Sequence, residues 1–263
     1  MDVCMALFFS KIPLVVSERN DPSIDPASNV KRLLRNVLYC RPNWFVFQTP
    51  DAKRYFSKKI QDRSNIVLNP LSGSIPDCWL GEREKRIVSV GRLNNQKNFP
   101  LLIEAFLLFH KKHPDYILEI YGDGMLEDKL KSYISDCQLE EFVFLKGFIK
   151  DVHDRIKKAA MFVMSSDFEG LPNALIEAMA LGLPSISTDC PCGGPRMLIK
   201  DGVNGRLVSV NNVNELCDAM LFCAEEEHAE KLSIESRKIR DIVSREKIVS
   251  EWEALIHHII EAK

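Results

Sequence analysis

The chain has 263 residues, 46% of them hydrophobic and 27% charged, with a formal net charge of −2. That length can bury one large core or two smaller ones, and the charge balance lacks the basic excess by which a nucleic-acid partner usually shows itself. No run of about 18 uninterrupted apolar residues occurs, so no transmembrane helix is expected.

The first stretch, MDVCMALFFSKIPLVV, is apolar but opens with Asp2 and contains Lys11. It has no basic n-region and no small-residue cleavage site, so it does not read as a signal peptide. Peripheral membrane contact stays open. Residues 12–18 (IPLVVSE) read as a buried strand, and residues 28–39 (SNVKRLLRNVLY) as a basic amphipathic helix with Ser28 as N-cap. A short strand (WFVFQT), a helix with Pro50 near its start (PDAKRYFSKKI) and a strand ending at Pro70 (NIVLNPL) follow. Residues 72–86 are polar, hold Gly and Pro, show no periodicity and read as a linker.

A regular alternation then sets in. The strands are RIVSVGR, YILEIYG, FVFLKG, AMFVMS, LPSISTD and GRLVSV. Between them lie helical stretches at residues 99–113, 125–137, 151–159 and 172–182, then a Gly-rich turn at 190–195. A helix over 213–226 follows, and a last one over 245–262 carries Ile248, Trp252, Leu255 and Ile259 on one face. This order predicts an α/β fold with a doubly wound parallel sheet. The part before the linker supplies about three strands, fewer than a Rossmann-like half needs. It therefore reads as an incomplete domain, or one that pairs with another polypeptide.

Eight cysteines are scattered without a CxxC pair and read as reduced thiols of a cytosolic protein. His257 and His258 are adjacent and point in different directions on a helix, so no metal site is expected. No GxGxxG, Walker loop or GxSxG elbow is present, which disfavours NAD binding, P-loop hydrolysis and serine-hydrolase chemistry.

In an open parallel sheet, ligands bind at the carboxyl ends of the strands. There Arg92 and Lys97 bracket a loop before a helix N-terminus, a combination that suits a diphosphate, although a solvated loop fits as well. Gly122-Asp123-Gly124 permits close backbone approach or is a plain turn, and Phe148 offers an aromatic wall. In DFEGLPNALIE, Glu169 precedes a helix that contains Glu177. Both carboxylates border one cavity if the turn folds back; otherwise they are favourable charges at a helix start.

Four stretches, VGRLNNQKNFPLLIEAF, YGDG, SSDFEGLPNALIEAMALGLPSISTDC and GGPRMLIKDGVNGRLV, closely resemble the C-terminal half of family 4 of the retaining glycosyltransferases. VVSERNDP and VLNPL resemble the last part of that family's N-terminal domain. The resemblance implies a GT-B fold. Residues 1–75 would be a partial acceptor-side Rossmann-like domain, 76–85 a linker, 86–245 a complete nucleotide-sugar-binding domain and 246–263 a closing helix that packs back on the first part. It implies an enzyme that transfers a sugar, with retention of configuration, from a nucleotide sugar (a UDP-sugar by expectation). The acceptor would be a polysaccharide or a lipid-linked glycan. Arg92, Lys97 and Glu169 would be catalytic, the two cations holding the diphosphate and Glu169 the sugar hydroxyls. Gly91, Leu171, Pro172 and Asn173 would lie along the donor, Gly122, Gly124 and Phe148 would border the base, and Glu177 would bind the ribose. No metal and no cofactor beyond the donor are implied, and the expected location is cytoplasmic, with room for peripheral attachment at the inner face of the membrane. Met197 departs from the family, which often has a glutamate there. The short N-terminal part leaves a second reading: a non-catalytic nucleotide-sugar-binding module, or half of an enzyme completed by a partner chain. A GT-B epimerase or phosphorylase fits the fold but not the glutamate pair.

Overall fold

Short apolar runs joined by amphipathic helices bury both faces of their strands only in a parallel sheet covered on each side. Two such sheets form. The computed structural model describes residues 1–71, 73 and 75–261; Ser72 and Ser74, within the stretch read as a linker, Ala262, the last residue of the helix expected over 245–262, and Lys263 lie outside the described residues.

The N-terminal part runs α1 (Asp2–Ala6), β1 (Val15–Ser17), α2 (Asn29–Leu38), β2 (Trp44–Phe47), α3 (Pro50–Arg54), α4 (Lys58–Gln61) and β3 (Ser64–Ile66). Its strands pair in parallel in the order β1-β2-β3. Successive side chains leave opposite faces. Phe45 and Phe47 pack with Leu38, Tyr39, Phe56 and Ile60 under the helices, while Val46 faces the other way with Val67. The second part follows as β4 (Glu84–Val90), α5 (Phe99–His110), β5 (Ile117–Tyr121), α6 (Glu127–Asp136), β6 (Val143–Gly147), α7 (Val152–Ile156) and β7 (Ala159–Met164). It continues with α8 (Asn173–Ala180), β8 (Ser185–Thr188), α9 (Gly194–Leu198), β9 (Arg206–Val208), α10 (Val213–Ala224), α11 (Glu226–Ser236), α12 (Ile239–Ile242) and α13 (Arg245–Glu261).

The second sheet is wholly parallel, in the order β6-β5-β4-β7-β8-β9. All six residues of β7 are buried, as a strand in the middle of a sheet with two covered faces requires. Met161 and Val163 join the core beneath α5 and α10, whereas Phe162 and Met164 join the one beneath α8 and α9. The last helix, α13, returns to the first sheet: Ile248, Leu255 and Ile259 pack with Val46 and Val67, and Trp252 closes the same cluster.

Several elements differ from the sequence reading. The helix expected over 50–60 is two short ones, because Ser57 is extended (φ −59°, ψ 153°) and restarts the chain so that Phe56 and Ile60 both reach the core. Ser28 occupies the N-cap position of α2, but its side chain makes no capping bond. The Gly-rich turn continues into α9 behind Gly193, at φ 69°. The helices α11 and α12 had no legible stripe; α11 buries only Leu232 and Ser236 along its length. Strand β4 opens at Glu84, inside the stretch read as a linker. The residues before it are irregular yet fastened, since Arg83 donates to the carbonyls of Ala159 (3.0 Å) and Gly182 (2.6 Å). The apolar stripe of α2 faces outward, with Val30, Leu33 and Val37 all exposed, while Arg35 and Leu38 turn inward.

One close approach fixes the loop after β4. Gly122 sits at φ 139°, and a Cβ there would overlap the Gly91 carbonyl. Gly122→Ala therefore meets both a strained backbone and a rigid neighbour, and should lower stability by roughly 1–3 kcal/mol. Urea unfolding midpoints measure this; a midpoint equal to wild type would contradict the packing.

Candidate active site

In this strand order the chain leaves β4 toward one face and β7 toward the other, so the loops after these two strands part at their carboxyl ends and leave a crevice. The loops are nonetheless bonded side by side. The Ser165 hydroxyl donates to the Lys97 carbonyl (2.8 Å), Asp167 N–H to the Gln96 carbonyl (2.8 Å), and the Gln96 amide to the Phe168 carbonyl (2.9 Å). Asn98, the N-cap of α5 at φ 42°, donates to the Asp167 carboxylate at 2.7 Å.

These bonds bring Lys97 and Glu169 together across 72 residues of sequence. Lys97 Nζ lies 2.6 Å from Glu169 Oε1, and the Ser166 hydroxyl donates to the same oxygen at 2.7 Å. Both side chains are largely buried, with 16% and 9% of their surface exposed. The lysine stem lies over Gly91, where an added Cβ would stand 2.9 Å from Lys97 Cε.

Around this pair lies a cleft of about 450 Å³. Gly91, Arg92 and Lys97 line it from the β4 loop, and Glu169, Leu171, Pro172 and Asn173 from the β7 loop and the start of α8. No side chain caps α8, so the first N–H groups of the helix, at Asn173 and Ala174, are left toward the cleft edge. The opposite wall belongs to the first sheet. Arg19, Gln48 and Asn69 follow β1, β2 and β3 and line the same cleft. Gln48 Oε1 accepts from Leu171 N–H (3.2 Å), and the Asn69 amide donates to Asn173 Oδ1 (2.6 Å) and the Leu171 carbonyl (3.4 Å). The cleft thus holds three cations, Arg19, Arg92 and Lys97, against one carboxylate, Glu169.

Other expected site residues lie outside the cleft lining. Glu177 sits one helical turn below Asn173, with Oε2 at 3.1 Å from His153 Nε2 of α7. The two glutamates therefore have different neighbours, a lysine and a histidine. Gly122 and Gly124 pack against the backbones of Gly91 and Leu93, and Phe148 is 73% exposed. Reasoning on the sequence missed Arg19, Gln48, Asn69, His153 and Ser166. The signal for the first three was present: the strand-end rule applied to the second sheet applies to the first as well.

Three other features carry no such chemistry. A larger hollow, about 540 Å³, lies elsewhere, and its carboxylate Glu119 is already engaged by Arg86 at 2.5 Å and the Tyr121 hydroxyl at 2.8 Å. Burial, with the Glu169 charge adding to it, pushes the Cys190 thiol up to about 12, and burial pushes Cys192 up to about 11, so neither is a nucleophile at neutral pH. Among the described residues no cluster of His, Cys, Asp and Glu is arranged to hold a metal ion.

A family model described as "Glycosyl transferases group 1" matches residues 79–239. The N-acetylgalactosamine-N,N'-diacetylbacillosaminyl-diphospho-undecaprenol 4-alpha-N-acetylgalactosaminyltransferase of Campylobacter jejuni is 30% identical over 251 residues, covering 89% of this chain and 66% of that protein. Anabaena HepE, solved in complex with UDP and glucose, superposes with a TM-score of 0.88 at 17% identity over 97% of this chain and 74% of its own. The GtfA/B complex gives a TM-score of 0.81 at 21% identity over 97% of this chain and 55% of its own. These likenesses establish a GT-B fold, with a six-stranded Rossmann-like sheet in the second part. The curated relatives are longer: the match spans 59%, 28%, 50% and 66% of four of them.

The buried ion pair generates a test that needs no ligand. Lys97→Met and Glu169→Gln each leave a partly buried charge without its partner, and each should cost about 1–3 kcal/mol. The double variant should cost less than the sum. Urea unfolding of the four proteins measures the coupling, and strict additivity would mean that the pair contributes nothing.

Proposed function

This chain belongs to the group 1 glycosyl transferases, and from that premise we propose that it binds a nucleotide sugar, by preference a UDP-sugar, and transfers the sugar with retention to a glycan or lipid-linked acceptor. The observation that carries this reading is the cleft at the sheet's switch point, where three cations and an uncapped helix start converge beside one carboxylate. Positive charge and N–H donors are thereby placed where a departing diphosphate gains negative charge. Arg92 and Lys97 hold that diphosphate. Glu169, with Oε1 already taken by Lys97 and Ser166, offers Oε2 to the sugar hydroxyls. The backbone at Gly91, Leu171, Pro172 and Asn173 follows the sugar and phosphates, Gly122, Gly124 and Phe148 border the base, and Glu177, held by His153, receives the ribose.

In the step itself the bond from the anomeric carbon to the diphosphate oxygen breaks, and its electron pair stays on that oxygen. The acceptor hydroxyl forms the new bond on the same face, and its proton passes to the leaving diphosphate. We propose no metal and no cofactor for this step, the charge being met by the side chains above. A lipid-linked acceptor places the protein at the inner face of the membrane as a peripheral component; no helix among the described residues is long and apolar enough to cross one.

A second reading has its own observation. The first sheet has three strands, and the outward stripe of α2 and the β1 edge are uncovered among the described residues. A further polypeptide that covers this surface would supply the acceptor wall, and this chain would then be the donor-binding half of the enzyme.

Titration calorimetry separates donor binding from transfer. UDP should bind the wild-type chain, and Lys97→Ala should weaken it about tenfold, the loss of one charge-assisted contact. Equal affinity in the two proteins would sink the diphosphate assignment. Sugar release to acceptor by the chain alone would make the donor-half reading unnecessary.

A further inference from the structure

The wall of the cleft opposite Arg92 and Lys97 carries a third cation to which the reading above gives no individual role. Arg19 follows β1, at the carboxyl end of a parallel strand, where such sheets present ligand-binding groups. The glutamate before it turns inward to the Tyr39 hydroxyl, while Arg19 itself is exposed to the cleft. Its backbone position is fixed by close contact. A Cβ on Gly170 would overlap the Arg19 carbonyl, so the residue between Glu169 and Leu171 has no side chain where the first sheet abuts the second.

The guanidinium is oriented as well. Nε donates to the Ser17 hydroxyl at 2.9 Å, and Nη1 donates to Asn69 Oδ1. Asn69 in turn donates to Asn173 at the first position of α8. A chain of side chains therefore runs from the arginine to the helix start, the part of the cleft where an anion is favoured. With Nε and Nη1 engaged within the protein, Nη2 and the outer edge of the fork remain for a ligand. A planar fork fixed on one side and open on the other suits phosphate oxygens better than a lysine would.

Resting on the nucleotide-diphosphate reading of the cleft, we propose that Arg19 is a third diphosphate-binding residue, contributed by the N-terminal part. It closes the anion site from the wall opposite Arg92 and Lys97. The diphosphate is then held by both sheets at once, so the two parts of the chain share one ligand.

The test uses the full chain and three probes: UDP, inorganic pyrophosphate and uridine, each titrated by calorimetry. Arg19→Gln should weaken UDP and pyrophosphate about tenfold while uridine binds as to wild type. Arg19→Met, which keeps the stem and removes the fork, supplies the same comparison if the Gln variant does not fold. Wild-type affinity for UDP in the Arg19 variants, with Lys97→Ala still weakened, overturns the role of Arg19 and leaves the diphosphate site standing. Loss of uridine binding in step with UDP also overturns it, because Arg19 would then only brace the Asn69–Asn173 contact. If wild type binds neither UDP nor pyrophosphate, the reading of the cleft fails and the proposal fails with it.

Discussion

Two loops that the topology drives apart are tied back together by hydrogen bonds, and a buried lysine–glutamate pair sits at the knot. Every other feature of the cleft depends on that arrangement. The strand order sends the chain after β4 and after β7 to opposite faces, which alone would leave an open, wet crevice. The bonds from Ser165, Asp167, Gln96 and Asn98 prevent this. They draw the 91–98 and 165–172 loops into one wall, where Lys97 and Glu169 meet with most of their water removed. A lone charge at that depth would be expensive, and the partner offsets it. The glycine at 91 follows from the same demand, since the lysine stem needs the space that a side chain would fill.

The wall would still lack its upper edge without the first sheet. Gln48 and Asn69, from two strand ends of that sheet, bind the backbone and side chains of residues 171–173. The turn that starts α8 is therefore held by the N-terminal part rather than by its own capping residue. α13 explains why that part stays in place. It leaves the second sheet and buries Ile248, Leu255 and Ile259 against Val46 and Val67 on the far face of the first. Closing helix, strand ends and α8 are thus joined through the first sheet by packing and hydrogen bonds.

Much of the second sheet was legible because β7 and its neighbours are short apolar runs that alternate with helices at regular spacing, and few folds accept that order. The loops after β4 and β7 were legible for the same reason, as strand ends rich in Gly, Arg, Lys and Glu. Long-range pairings were not. Nothing in the local pattern links Lys97 to Glu169 or His153 to Glu177, because such contacts are set by how loops of very different sequence position meet. The first sheet's contribution escaped for a further reason. Its three strands are short and its helix α2 shows its apolar stripe to the outside, so periodicity pointed away from Arg35, which is the buried member. Weak stripes hid α11 and α12 entirely.

The ion pair also bears on how an anion would enter. Lys97 is already dehydrated and aimed by Glu169, so a diphosphate that approaches it on the proposed reading exchanges one oxygen partner for another. It does not have to strip a fully solvated ammonium, and the reorganisation left for the ligand is small. The single carboxylate is no obstacle, since three cations outnumber it and its second oxygen is left for hydroxyl donors. The same balance argues that the cleft would discriminate by charge: a neutral sugar would meet Glu169 and uncharged polar groups such as Gln48, Asn69 and Gln96, whereas on the proposed reading a diphosphate would meet the cations. Affinity in such a site resides chiefly in the phosphates, and the sugar is positioned by what they anchor.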